Sequence, residues 1–244
     1  MLLNTLRALL QFTTILPLGK TADFQLFARR SYLYPLAGYV TGGIAGLAAF
    51  WISEPGIRAA VAIAAVLLIT GANHFDGLLD LGDGLMAHGG REGRIRALTD
   101  RQIGTGGFVA GVCVLLLTFA ALSASLQPLW SLIVAEVLAK FSMSFLTAYG
   151  TPFREGLHAV LYREAKPWFP VIAAVLCIPL LLLPVPPLPL LGAALAALLV
   201  PASLLLIANR LFGGVNGDVV GASGEITRAV ALCALVLIPA STLF

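Results

Sequence analysis

The chain has 244 residues, of which 59% are hydrophobic and 11% are charged, and its formal net charge is +3. Soluble domains usually carry about 25% charged residues, so this composition excludes a water-soluble globular protein. We therefore expect a protein that crosses a lipid bilayer several times, and we expect no nucleic-acid partner.

The first 18 residues are rich in leucine but are interrupted by Asn4, Arg7 and Gln11. This pattern fits an amphipathic or re-entrant helix at the membrane interface, and it fits an additional span equally well. Seven later stretches are long and apolar enough to cross the bilayer, which takes about 20 mostly apolar residues. These predicted spans are 32–53, 58–79, 105–126, 129–149, 168–185, 188–208 and 228–244.

The expected fold class is all-α. We predict a polytopic integral membrane bundle of about seven transmembrane helices plus the N-terminal amphipathic or re-entrant helix. Residues 1–244 are expected to form a single integral-membrane catalytic domain, with the lipid bilayer as its surrounding partner.

The segments that connect the predicted spans alternate between two kinds. Short ones contain a single basic residue, Arg58, whereas the longer ones at 19–31, 76–104, 150–167 and 209–227 are rich in arginine and lysine. By the positive-inside rule the basic segments are cytoplasmic. We therefore expect any active site on the cytoplasmic face of the cell membrane.

Three carboxylates, Asp76, Asp80 and Asp83, lie within eight residues at the end of an apolar run. On a helix these spacings place all three side chains on one face, within roughly 60° of one another. Their mutual repulsion indicates a bound divalent cation, while the alternative is an ordinary solvated helix end. Oxygen ligands at a membrane edge suit Mg²⁺ or Mn²⁺, which leave coordination positions free for phosphate oxygens.

A basic stretch follows the aspartates and contains Arg91, Arg94, Arg96 and Arg101. Arginine pairs well with phosphate oxygens, so these residues are candidate phosphate ligands. The alternative is that they only follow the positive-inside rule.

Glu136 and Lys140 lie in the middle of a predicted span, four residues apart. They can pair on one helix face as a structural ion pair, or Lys140 can reach a substrate phosphate from the floor of the site. His74 lies beside Asp76 inside an apolar segment, and we favour an orienting role for it over metal ligation.

A late polar loop over 209–225 contains the run Gly-Gly-Val-Asn-Gly-Asp, which ends at Asp218. Because this loop is predicted to share the face of the aspartates, Asp218 is a candidate fourth carboxylate or general base. The loop at 151–158 adds Arg154 to the same face. His158 is also expected in that loop, and its position gives little indication of a function.

The run Asp-Gly-Leu-Leu-Asp-Leu-Gly-Asp-Gly-Leu at 76–85 and the run Asp-Arg-Gln-Ile-Gly-Thr-Gly-Gly at 100–107 resemble the cobalamin synthase family, also called adenosylcobinamide-GDP ribazoletransferase. The late glycine-rich element at 213–226 is also similar to that family. The resemblance spans nearly the whole chain, and the loop at 153–158 looks like that of archaeal members.

The resemblance implies the last step of cobalamin nucleotide-loop assembly. A ribose hydroxyl of α-ribazole, or of α-ribazole 5′-phosphate, attacks the cobinamide-linked phosphorus of adenosylcobinamide-GDP, and GMP leaves. Mg²⁺ is the expected cofactor, with Mn²⁺ as an alternative. Other enzymes of cobalamin assembly and a second copy of the chain are further candidate partners.

Under this resemblance we assign Asp76, Asp80 and Asp83 as metal ligands, with Asp100 or Asp218 completing the shell. Asp83 or Asp218 accepts the proton of the attacking hydroxyl. The residues expected to bind substrate phosphates are Arg91, Arg94, Arg96, Arg101, Lys140 and Arg154.

Two other functions compete with this one. A CDP-alcohol phosphotransferase also uses clustered aspartates, but its signature has Ala-Arg where this chain has Leu79-Asp80. A cation transporter would use the aspartates as an ion path, yet such residues usually lie near the bilayer midplane in proteins with inverted repeats. Both therefore rank below the transferase.

Overall fold

A computed structural model describes residues 2–239 of the chain. This part of the chain is helical, and its only strand-like pairing is an isolated bridge between Pro152 and Val215, so the all-α prediction is confirmed. Short 3₁₀ turns occupy Ser31–Leu33 and Ile178–Leu182. The helices are α1 (Leu2–Thr13), α2 (Phe24–Ala28), α3 (Tyr34–Phe50), α4 (Pro55–Ile69), α5 (Asn73–Met86), α6 (Arg91–Leu98), α7 (Thr105–Ala124), α8 (Pro128–Tyr149), α9 (Leu157–Glu164), α10 (Phe169–Val175), α11 (Pro187–Leu211) and α12 (Gly217–Leu237).

Five segments of the described chain are long and apolar enough to cross a membrane: α3 with its preceding 3₁₀ turn, α7, α8, α11 and α12. Two bent pairs raise the number to seven if each pair counts as one span. The first joins α4 to α5 with a bend of 94°, and the second joins α9 to Phe169–Leu182 with a bend of 89°. The prediction of about seven transmembrane helices agrees with this architecture.

The N-terminal helix α1 is too short to be a span. Its twelve residues rise about 18 Å, whereas the hydrocarbon core of a bilayer is about 30 Å thick. One face packs into the protein while Leu2 and Leu3 are exposed. The segment is thus a short amphipathic helix, and the alternative of an additional span is wrong. Its buried residues are Thr5, Ala8, Leu9 and Thr13.

The predicted span at 58–79 is interrupted rather than continuous. Helix α4 ends at Ile69, and Gly71 and Ala72 have φ angles of 62° and 55°. This left-handed conformation suits glycine and is uncommon for alanine, so it breaks the helix although the sequence stays apolar. The chain then starts α5 in a new direction.

The loop predicted at 209–227 extends too far, because residues from Gly217 onward already belong to α12. The Asn216 side chain accepts a hydrogen bond from the Val219 N–H at 3.2 Å and caps the helix. Asp218 lies in the first turn, where a negative charge is favourable. The predicted last span ends in residues 240–244, which lie outside the described part of the chain.

Glycine residues allow α5 to pack closely on both of its neighbours. A Cβ atom at Gly77 would lie 2.7 Å from the carbonyl oxygen of Asp218 in α12. On the opposite side of α5, a Cβ atom at Gly82 would lie 2.8 Å from the carbonyl oxygen of Gly106 in α7. Both contacts are with backbone, which cannot move aside as a side chain can, so α5 is fixed between α12 and α7.

The buried charges join α8 to α12. Glu136 attracts Lys140 as predicted, but its hydrogen bonds come from Arg228 and, at 2.6 Å, from the Thr41 hydroxyl. Arg228 also donates to Glu225. A guanidinium can serve two carboxylates at once, and buried charges are stable only when paired in this way.

We expect Gly77→Ala to weaken the contact between α5 and α12. The added methyl group overlaps the Asp218 backbone, and overpacking of this kind typically costs about 1–3 kcal/mol. Gly43→Ala is the matched control, because an added Cβ there meets no atom within 4 Å. Thermal unfolding in detergent should rank Gly77→Ala below Gly43→Ala. Equal stability of the two variants would contradict the contact.

Candidate active site

Three carboxylates lie near the contact between α5 and α12, close enough to repel one another, and we call Asp76, Asp80 and Asp218 the carboxylate cluster. The Asp80 carboxylate is repelled by Asp218, Asp76 and Asp83, and it is attracted by Arg154. Asp76 is exposed, whereas Asp80 and Asp218 are half-buried. The cluster is therefore open to a ligand and carries more negative than positive charge.

Asp218 is held in place by two neighbours. The Asn216 side-chain amide donates a hydrogen bond to Asp218 Oδ2 at 2.5 Å, and Arg154 Nη2 lies 3.6 Å from the same oxygen. Arg154 reaches this position because the loop after α8 runs beside the loop before α12, where the Val215 N–H donates to the Thr151 carbonyl at 2.8 Å.

Asp83 also repels Asp80, but its hydrogen-bond partners lie at the start of α7. Its Oδ2 accepts a hydrogen bond from the Gly104 N–H at 2.7 Å, and its Oδ1 accepts one from the Gly107 N–H at 2.8 Å. The carboxylate thus caps the N-terminus of α7, where negative charge is favourable. Asp83 and Asp100 line a separate cavity of 260 Å³, so two of the four predicted metal ligands border a different space from Asp76.

Within residues 2–239, no three side chains of His, Cys, Asp or Glu are arranged to hold a metal ion by themselves. The donor chemistry of the carboxylate cluster nevertheless fits a hard divalent cation, because it offers only oxygen atoms that repel one another. An ion there would take further ligands from water and from substrate phosphate, as Mg²⁺ commonly does.

Two of the predicted phosphate-binding residues are half-buried or buried and have partners within the protein. Arg94 donates to the carbonyl oxygens of Gly84 and Leu85 at 3.2 and 2.6 Å, and so caps the C-terminus of α5. Lys140 is buried in α8, and its Nζ lies 3.3 Å from Nδ1 of His74. The other predicted phosphate-binding residues are exposed: Arg91, Arg96, Arg101 and Arg154.

A cavity of 430 Å³ opens beside the carboxylate cluster and is lined by Asp76 and Asp218. Two histidines, His74 and His158, add polar groups to its wall. His158 lies in α9 and is 4% exposed, not in a loop as expected. No local sequence feature marks it, because its environment is created by contacts that are distant in the chain.

The fold and this site define a polytopic helical membrane protein with a carboxylate cluster at the edge of its bundle. The model of the cobalamin-5-phosphate synthase family matches residues 5–236. The chain belongs to this family, and the resemblance seen in the sequence is confirmed.

Relatives named adenosylcobinamide-GDP ribazoletransferase cover nearly the whole chain. The protein from Methanocella arvoryzae is 36% identical, over 95% of this chain and 94% of its own length. The one from Halorubrum lacusprofundi is 38% identical, over 97% and 98%. The one from Deinococcus radiodurans is 39% identical, over 89% and 80%. No solved structure matches the chain.

We expect Asp83→Asn to destabilise the protein more than Asp76→Asn does. The amide keeps one acceptor oxygen but turns an NH₂ group toward the second backbone N–H, and loss of one hydrogen bond costs about 0.5–1.5 kcal/mol. Unfolding in detergent should therefore occur at a lower temperature for Asp83→Asn. If the two variants are equally stable, the capping role of Asp83 is wrong.

Proposed function

We propose that the chain is an adenosylcobinamide-GDP ribazoletransferase. The observation that carries this proposal is the meeting of Asp76, Asp80 and Asp218 at one end of the bundle, in a chain of the cobalamin-5-phosphate synthase family. Family membership also favours the transferase over a CDP-alcohol phosphotransferase and over a cation transporter.

In the proposed reaction a ribose hydroxyl of α-ribazole, or of its 5′-phosphate, attacks the cobinamide-linked phosphorus of adenosylcobinamide-GDP. A new phosphorus–oxygen bond forms, and the bond from that phosphorus to the bridging oxygen breaks. GMP leaves with the bridging oxygen. The product is adenosylcobalamin, or adenosylcobalamin 5′-phosphate when the acceptor is the nucleotide.

Asp218 is the proposed acceptor of the hydroxyl proton. It borders the cavity together with Asp76, and Asn216 and Arg154 fix its orientation. We favour it over Asp83, because both oxygens of Asp83 already accept backbone hydrogen bonds. Arg154 is also exposed enough to contact a substrate phosphate.

Mg²⁺ is the proposed metal, with Mn²⁺ as an alternative. Asp76 and Asp80 would hold it, because they lie one helical turn apart on α5 and both face Asp218. When bound, the ion would neutralise charge on the diphosphate and on the departing GMP. Asp100 is a weaker candidate ligand, since it lines the other cavity with Asp83.

We propose that the site faces the cytoplasm from the cell membrane. Contacts between the basic segments support a common face: Arg29 Nε lies 3.7 Å from Glu164 Oε2, and Arg154 lies beside Asp218. The positive-inside rule assigns such a face to the cytoplasmic side.

The test is GMP release in detergent from adenosylcobinamide-GDP, with α-ribazole or its 5′-phosphate, with and without Mg²⁺. Wild-type protein should release GMP only with Mg²⁺. Asp76→Asn and Asp80→Asn should lower turnover by about 100-fold or more, because each removes charge that stabilises the reacting diphosphate. Glu92→Gln, on the exposed start of α6, serves as the control and should retain activity. Unchanged turnover and Mg²⁺ dependence in both aspartate variants would overturn the site assignment.

A further inference from the structure

His158 has one ring nitrogen with a partner and one without. Nε2 lies 2.7 Å from the carbonyl oxygen of Gly150. A carbonyl only accepts, so Nε2 carries the proton, and Nδ1 of the neutral ring is an acceptor. Nδ1 is buried and has no hydrogen-bond partner among the described residues. A buried acceptor without a partner indicates a group that is supplied by water or by a ligand.

His158 lines two adjoining cavities. The larger, of 430 Å³, also contains Asp76, and the smaller, of 190 Å³, also contains Arg154. Asp218 borders both. The residue that carries the unpartnered acceptor therefore lines the same space as the carboxylate cluster.

The lining of the larger cavity combines polar and apolar side chains. His74 is complementary to His158: a protonated Lys140 donates to His74 Nδ1, and His74 Nε2 then carries the proton. One imidazole can thus donate a hydrogen bond and the other can accept one. Gln11 and Asn73 are further polar residues of the lining, and its apolar part is aromatic and aliphatic and includes Phe12, Tyr34, Met143, Leu161 and Val220.

This combination suits an aromatic nucleoside. Its flat base needs an apolar wall, and its ribose needs hydrogen-bond partners near the reacting carboxylates. The volume of 430 Å³ lies within the range of about 300–1,000 Å³ that is usual for small-molecule sites. A corrinoid macrocycle with its side chains is larger than this cavity.

We propose that this cavity is the subsite for the acceptor nucleoside, and that a ribose hydroxyl donates a hydrogen bond to Nδ1 of His158. The base would lie against Phe12, Tyr34 and Met143, and the ribose would lie toward Asp76 and Asp218. The inference rests on the proposed function and names the acceptor site within it.

A pair of substitutions separates this role from a structural one. In His158→Gln the side-chain amide can still donate to Gly150 but offers no acceptor at the position of Nδ1. In His158→Asn the side-chain oxygen can occupy the position of Nδ1, while the contact with Gly150 is lost. The exposed His88 provides the control His88→Gln.

We expect His158→Gln to raise the KM for α-ribazole about tenfold, as loss of one hydrogen bond predicts, with the KM for adenosylcobinamide-GDP and the thermal stability nearly unchanged. His158→Asn should restore part of the affinity, and His88→Gln should behave as wild type. A wild-type KM for α-ribazole in His158→Gln, or an equal rise for both substrates, would overturn the proposal.

A second measurement does not depend on the folding of any variant. Analogues of α-ribazole that each lack one ribose hydroxyl other than the attacking one are compared with wild-type protein. One of them should show the same rise in KM, and uniform KM values across the analogues would overturn the proposal. Absence of GMP release by wild-type protein would instead overturn the proposed function, so the two failures are distinguishable.

Discussion

The backbone contact between Gly77 and Asp218 is the constraint on which the site depends. The α12 backbone at Asp218 occupies the space that any side chain at position 77 would fill. Because the helices are this close, Asp76 and Asp80 on α5 face Asp218 at the start of α12. The repulsion among these carboxylates is tolerated because helix packing, rather than a contact between the carboxylates themselves, fixes their positions.

Buried polar contacts join the supporting helices to one another. Arg228 joins Glu225 on α12 to Glu136 on α8, and Lys140 on α8 lies beside His74 on α5. Three helices are thus joined within the membrane by groups that would be unstable if separated. The exposed loops contribute Arg154 at the edge of the site, whereas the three carboxylates belong to helices α5 and α12.

Much of the fold could be predicted because hydropathy and charge are local properties of the chain. The number of spans followed from them. The bend at Gly71 and Ala72 did not, because the apolar run continues through it. Helical spacing also grouped Asp83 with the other two aspartates, although its partners at the start of α7 are more than twenty residues away. Such long-range contacts are set by tertiary packing.

The most direct test of the account is a double-mutant cycle on GMP release with Asp80→Asn and Asp218→Asn. Groups that act in one site lose activity non-additively, because the second substitution removes what the first has already disabled. If both aspartates act in one site, the double variant is hardly slower than the slower single variant. If the two losses multiply, Asp80 and Asp218 act independently, and the claim of a single site where α5 crosses α12 is wrong.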